Sequence, residues 1–207
     1  FINKKGIVIN FKYLNKIKDF NNIDNTIIVE PGASISKVGE FLLKKKCILN
    51  NIPSYTEVTI GGAISNNVHG KDSHINGFFC DNVSKITYID SDLNVRVISR
   101  KDNSIKFGQF IGSIGLLGII IEVELNAVKI KSPYLVFQTY YLNNFDEFFQ
   151  FCKANDMSKI PYYTFKIDQF SRNKNFGSVC VNLYKWHNLD FNLNNTKINF
   201  SHILYKR

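Results

Sequence analysis

The stretch Thr59-Ile60-Gly61-Gly62-Ala63-Ile64-Ser65-Asn66-Asn67-Val68-His69-Gly70 holds the residue types best suited to chemistry in this chain. Two glycines directly after a β-branched pair let the backbone turn sharply from an extended segment into a helix. They also remove the Cβ atoms that would hold a ligand off. Amides laid bare at such a turn make a concave, electropositive site suited to a pyrophosphate. A plain helix N-terminus with glycines placed for packing would read the same way, because a short glycine pattern alone is a weak signal. The continuation narrows the choice. His69-Gly70-Lys71, His74, Gly77-Phe78-Phe79 and Asn82-Val83 form a polar, glycine-punctuated segment inside an otherwise apolar region. His69 and His74 stand five residues apart, which does not place two ligands on one helical face. No carboxylate or cysteine stands at ligand spacing, so no metal site is expected. Neither a G-x-S-x-G elbow nor a P-loop occurs.

The elements around this stretch mix strands and helices. Ile7-Val8-Ile9 reads as a strand after the turn at Phe1 to Gly6, and Ile27-Ile28-Val29-Glu30 as a strand closed by Pro31-Gly32. Ser34 or Ser36 can cap a helix whose apolar face carries Ile35, Val38, Phe41 and Leu42. Cys47-Ile48-Leu49 is a brief strand before a loop that contains Pro53. Residues 85–89 and 95–98 flank Asp90-Ser91-Asp92-Leu93-Asn94 as a hairpin. Residues 119–128 read as one long strand, with the alternation lost at the isoleucine run through burial on both faces. Lys129 to Pro133 marks the best internal boundary. Beyond it come a strand from Tyr134 to Tyr141, a helix from Phe145 to Ala154, and strands at Pro161 to Phe170 and Val179 to Tyr184. The absence of strict βαβ alternation makes the fold class α+β. The abrupt start at Phe1 and the weakly patterned, Asn-rich tail ending at Arg207 lead us to expect a piece of a longer protein.

A formal charge of +9 raises nucleic acid, an anionic ligand or a membrane surface as partners. The lysines are scattered, and the one tight run, Lys44-Lys45-Lys46, ends the predicted helix, where cations suit the helix dipole. Without a basic helix or a ring-and-lysine platform, a nucleic-acid-binding domain is disfavoured. Cys47, Cys80, Cys152 and Cys180 form no C-x-x-C and suit thiols in a reducing compartment. The sequons at Asn82, Asn194 and Asn199 read as chance matches. No apolar run reaches the length of a membrane span, so a cytoplasmic protein is expected, with peripheral membrane contact left open.

The central stretch resembles the second FAD-binding segment of the vanillyl alcohol oxidase / p-cresol methylhydroxylase superfamily (the PCMH-type FAD-binding domain). It is most similar to the branch of decaprenylphosphoryl-ribose, aldonolactone and alditol oxidases. The motifs that carry the resemblance are Pro53 through Val58 with Thr59-Ile60-Gly61-Gly62-Ala63-Ile64, then His69-Gly70-Lys71-Asp72, then Gly77-Phe78-Phe79-Cys80. Upstream, Val29-Glu30-Pro31-Gly32-Ala33 matches the family's strand and turn. Downstream, Ile111-Gly112-Ser113-Ile114-Gly115-Leu116-Leu117-Gly118-Ile119-Ile120 matches its glycine-rich loop. Three ordered motifs at compatible spacing cover residues 1 to about 130. A fainter echo is Lys166-Ile167-Asp168 with Gly177-Ser178. Ser54, Cys80, Ser113 and Leu117 depart from the family pattern, and its first phosphate loop has no counterpart in this sequence.

The resemblance implies a PCMH-type FAD-binding domain over residues 1–131, in its second subdomain, and the beginning of a cap domain with an antiparallel sheet over 132–207. It implies FAD held by Pro53, Ser54, Tyr55, Val58, Thr59, Gly61, Gly62 and Ala63, with Asn66, Asn67, His69 and Gly70 near the flavin ring. Gly118 and Ile119 would meet the adenine end. His69 would be the catalytic, substrate-orienting residue and Lys71 a substrate contact. The implied activity is oxidation of a CH–OH group of a sugar, polyol or aldonolactone, by hydride transfer to flavin N5. The alternative is a binding module that keeps the fold without turnover. Residues 1–207 alone are expected to bind FAD weakly and to be inactive.

Overall fold

The computed structural model describes residues 6–102, 104–170 and 176–187. The turn expected before Gly6 and the tail sequons at Asn194 and Asn199 lie outside them. Among the described residues ten strands form three sheets, and every pairing is antiparallel. The largest is built from β1 (Ile17–Asn21), β2 (Thr26–Val29), β4 (Val83–Ile89), β5 (Val95–Ser99) and β6 (Ile119–Asn126). Its order is β1-β2-β6-β4-β5, so the latest strand in sequence lies at the centre. β3 (Cys47–Ile48) pairs with β7 (Val128–Lys129) in a two-stranded ribbon.

Helix α1 (Ile35–Lys44) starts where expected. Ser34, not Ser36, is the cap: its Oγ accepts the Lys37 amide, and Ser36 Oγ lies 2.9 Å from Ser34 Oγ. The spacing of Ile35, Val38 and Leu42 puts all three inward, against Ile27, Val29, Val123 and Leu125 of the sheet. Short helices α2 (Ile60–Ser65) and α3 (Ser73–Asn76) follow, and α4 (Ser104–Phe110) packs Phe107 and Phe110 into the same core.

Two expectations need correction. Ile7 to Ile9 is not a strand: it pairs with no strand among the described residues, and Ile7 is 95% exposed. The 119–128 strand is divided. Ala127 separates β6 from β7, and Ile121 is the extra residue of a bulge opposite Thr87–Tyr88. That bulge, rather than burial on both faces, breaks the alternation and turns Ile120, Val123 and Leu125 into the core.

After Pro133 comes a second, three-stranded sheet, ordered β8 (Leu135–Leu142), β10 (Val179–Trp186), β9 (Tyr162–Ile167). Helix α5 (Phe145–Ala154) lies against it through Phe151 on Tyr140 and Phe148 on Phe165, with ring centroids 4.8 and 4.9 Å apart. Asn144 caps α5 by accepting the Glu147 amide. A small apolar cluster of Leu43, Ile48, Ile52, Ile130 and Trp186 joins this sheet to α1 and the ribbon.

Candidate functional site

The double glycine begins α2. Thr59 is the cap, extended at φ −76° and ψ 153°, and its Oγ1 accepts the Gly62 amide at 3.2 Å. An isolated bridge between Ser34 and Thr59 brings this turn over the Pro31–Ala33 carbonyls. Ile60 donates its amide to Ala33 O and Gly61 to Pro31 O, both at 2.8 Å. The expectation of bare amides is therefore corrected: the amides of residues 60–62 are already bonded within the protein. The glycines serve close approach instead. A Cβ on Gly61 would lie 2.9 Å from Pro31 Cβ.

An open groove of about 450 Å³ runs past this turn. Pro31 lines it from the first motif, Thr59, Gly61, Gly62 and Ser65 from the second, and Gly115, Gly118 and Ile119 from the third. Ile7, Ile9, Phe11 and Ile120 form its remaining wall. The C-terminal carbonyls of α2 hold the third motif in place, Ile64 O accepting from Gly112 and Ser65 O from Ile114, both at 3.0 Å. Gly118 has φ 146°, and a Cβ there would lie 2.6 Å from both Ile89 O and the Tyr88 ring, so only glycine lets the loop pass so close to β4. A Cβ on Gly115 would meet nothing within 4 Å.

The other expected residues divide. Asn66 is exposed at the end of α2 and bonds back to Gly62 O, while Asn67 takes a left-handed φ of 43°. Asn67 Oδ1 is buried with no hydrogen-bond partner among the described residues. Ala63 is wholly buried in the core, so its expected contact with a ligand is corrected to a packing role. Val58 is half-buried against the same core, and Tyr55 is 68% exposed. Pro53, Ser54 and Lys71 do not line the groove. They border a separate, mostly apolar cavity of about 50 Å³, walled by Leu43, Ile130, Tyr162, Tyr184 and Trp186. Lys71 Nζ lies 5.9 Å from the Tyr184 ring centroid.

His69 is exposed, its ring edge-on to Phe78 at 6.5 Å between centroids. The loop that carries it, residues 69–77, is fastened by Asn51, which sequence reasoning did not single out, and by its own Asp72, which entered only as the end of the His69-Gly70-Lys71-Asp72 motif; each is 1% exposed. Asn51 Oδ1 accepts from the Gly70 amide and from Ser73 Oγ, and its Nδ2 donates to Gly77 O. Asp72 Oδ2 accepts from the Asn51 amide at 3.0 Å and from Asn76 Nδ2 at 2.9 Å. Their signal in the sequence was faint: one polar pair, Asn50-Asn51, between apolar residues. His74 bonds to Ile160 O at 2.8 Å and packs on Tyr163, tying the loop to the second sheet.

Burial sets the electrostatics around the site. It pushes the Cys80 thiol up to about 12, helped by the Asp81 charge and opposed by Arg100. Burial also raises the Tyr162 phenol, and the Asp72 charge adds to that effect. Among the described residues no three His, Cys, Asp or Glu side chains converge as a metal site would require, and no helix is long and apolar enough to cross a membrane.

Residues 2–99 match the family model of the FAD binding domain. Over these residues the chain is similar to the FAD-binding domain family. FAD is thus the cofactor that the groove beside the double glycine must be tested against. Decaprenylphosphoryl-beta-D-ribose oxidase of Mycolicibacterium smegmatis is 24% identical over 180 residues, 86% of this chain and 39% of that protein. D-arabinono-1,4-lactone oxidase of Candida glabrata is 27% identical over 125 residues, 58% of this chain and 24% of that protein. L-gulonolactone oxidase of Mus musculus is 25% identical over 123 residues, 59% and 28% of the two chains. The chain therefore spans well under half the length of these relatives. The FAD-binding segment ends within β5, so the glycine-rich loop at 111–120 is joined to it by structure, through the α2 carbonyls.

Three observations fit FAD to this domain. The groove has the size of a small-molecule site. Four glycines line it, and at Gly115 a side chain would enter open space. Close by, at the end of α2, Asn67 holds a buried acceptor unpaired among the described residues, which an N–H donor of a bound ligand would satisfy.

Proposed function

We propose that the protein is part of an FAD-dependent oxidoreductase that oxidises a CH–OH group of a sugar, polyol or aldonolactone. The observation that carries the reading is the convergence of three separate glycine-bearing motifs on one groove within an FAD-binding domain. Its similarity to oxidases of decaprenylphosphoryl-beta-D-ribose, D-arabinono-1,4-lactone and L-gulonolactone suggests the substrate class.

In this reading Thr59, Gly61, Gly62, Gly115, Gly118 and Ile119 form the bed of the cofactor. Their contribution is shape, since the amides of residues 60–62 already have acceptors. Asn67 Oδ1 accepts a hydrogen bond from a ring N–H, and Asn66 and Gly70 stand beside it. When bound, FAD would supply the acceptor for the hydride of the carbinol carbon, while the hydroxyl proton passes to a base. His69 orients the substrate hydroxyl; neither of its ring nitrogens bonds to another described residue, so both can turn toward a ligand. Lys71 offers its ammonium to an anionic part of the substrate, and Pro53, Ser54 and Tyr55 shape the approach to it.

The test is anaerobic mixing of the full-length, flavin-loaded protein with a panel of aldoses, alditols and aldonolactones, followed by visible absorbance. Bleaching of the flavin by at least one CH–OH donor is expected, and it should slow at least tenfold in His69→Ala. A flavin that dithionite reduces but no member of the panel reduces would overturn the substrate class.

A further inference from the structure

We infer that Asn51 is a positioning residue for the cofactor's surroundings, acting through the loop that presents His69 and Lys71. This rests on the reading above, in which His69 and Lys71 meet the substrate of the flavin.

Every polar group on Asn51 that can hold the loop is engaged. Its side-chain oxygen takes the Gly70 amide and the Ser73 hydroxyl, its side-chain nitrogen gives to Gly77 O, and its own amide gives to Asp72 Oδ2. One buried side chain thus fixes the loop at 70, 73 and 77, while the main chain of Asn51 fixes it at 72. The cost of this arrangement is visible. Asn51 adopts φ 57°, a conformation side chains rarely take but asparagine tolerates. Gly70 must be glycine for the same reason, since a Cβ would lie 2.6 Å from Ile52 O and 2.8 Å from the Asn51 carbonyl carbon. Ser73 adds a second fastening by donating to Gly70 O at 2.7 Å.

The purpose of so dense a clasp is legible from what it holds. Residues 69 and 71 flank Gly70, whose amide the clasp holds. His69 reaches the surface, and Lys71 reaches the Tyr184 ring. Preorganising such groups on a buried hydrogen-bond network removes the cost of ordering them when a ligand arrives.

The amide's two-sided use makes a sharp test possible. Asn51→Asp keeps the size and the left-handed tolerance, but the introduced carboxylate would face Gly77 O and stand beside Asp72. Like charges in a dry site raise a carboxyl pKa. Protonated, the new carboxyl can again donate to Gly77 O and accept from Gly70, so the clasp should close as pH falls.

The experiment uses the full-length FAD-loaded protein and follows the flavin midpoint potential from pH 5 to 9, with thermal unfolding and flavin content as controls. For Asn51→Asp we expect bound flavin, a potential more negative than wild type at pH 8 to 9, and convergence on wild type toward pH 5. In a Lys71→Ala, His69→Ala background, the same substitution should no longer move the potential. A constant offset at every pH, or no offset with flavin retained, overturns the positioning role. Loss of flavin together with a collapsed unfolding midpoint at all pH values overturns it in favour of plain packing. If Lys71→Ala and His69→Ala together leave the potential unchanged, it is the placement of this loop beside the flavin that fails. Asn51→Ala, which cannot be rescued by acid, should show the high-pH behaviour throughout.

Discussion

Gly61 gives its amide to Pro31 O at 2.8 Å, so the residue that most suggested a phosphate cradle is bonded inside the protein. The contact welds the turn after β2 to the start of α2 and fixes one wall of the groove. It also sets a steric limit, because a Cβ on Gly61 would approach Pro31 Cβ to 2.9 Å. Gly61→Ala should therefore cost about 1–3 kcal/mol, the usual range for overpacking. Chemical denaturation of the apo and FAD-loaded full-length protein checks it, and the loss should appear in both.

Gly118 is constrained more severely. Its φ of 146° and the 2.6 Å approach of Ile89 O leave no room for any side chain. Gly118→Ala should strain the backbone by about 1–3 kcal/mol and displace the loop from β4. The same denaturation measurement, paired with flavin content, should show both stability and FAD retention falling.

Asn67 offers the opposite pattern. Its Oδ1 is buried and unpaired among the described residues, and its φ of 43° suits glycine. Asn67→Gly removes the orphaned acceptor without backbone strain, so apo stability should hold or rise. FAD affinity should fall about three- to tenfold, the worth of one net hydrogen bond of about 0.5–1.5 kcal/mol. Titration of the apo full-length protein with FAD measures this. Equal loss in the apo and loaded forms would assign Asn67 to packing.

Cys80 gives a pH prediction. Its folded pKa is raised from an ordinary thiol value of 9.0 to about 12, chiefly by burial. A raised pKa means the stabilisation is whole below the unfolded value and is lost as pH climbs from about 9 toward 12, where the unfolded thiol ionises first. Thermal unfolding between pH 8 and 11 should thus fall more steeply in wild type than in Cys80→Ala. The native thiol should also resist alkylation at pH 8 while the denatured one reacts.

Much of this was legible in the sequence, and the reasons are local. Helix α1 announced itself through 3.6-residue periodicity and a serine cap, and α5 was read at Phe145 to Ala154, although its cap Asn144 was not. The hairpin at Asp90–Asn94 was fixed by turn chemistry, Asp90 accepting from the Asp92 and Asn94 amides. Edge strand β1 was missed because Lys18 and Asp19 leave it without an apolar alternation, and its pairing partner, not its composition, makes it a strand. Ile7 to Ile9 misled in the opposite way, an apolar run of which Ile7 and Ile9 wall the groove instead of joining a sheet.

The site was half readable. Glycines 61, 62 and 118 and Thr59 do border one groove, because their spacing encodes close approach. That the Ile60 and Gly61 amides would already be bonded depends on Ala33 O and Pro31 O, and that Ser54 and Lys71 would border a different cavity depends on Tyr162, Tyr184 and Trp186, all distant in sequence. Local patterns do not carry them. The Asn51–Asp72 clasp is likewise a tertiary fact, visible only once two loops 21 residues apart meet.

The flavin content of the full-length protein, read from its visible absorbance after incubation with FAD and removal of excess, tests the central claim most directly. One FAD bound per chain, falling sharply in Gly118→Ala, is the predicted result. A colourless, folded wild-type protein that takes up no FAD would contradict it.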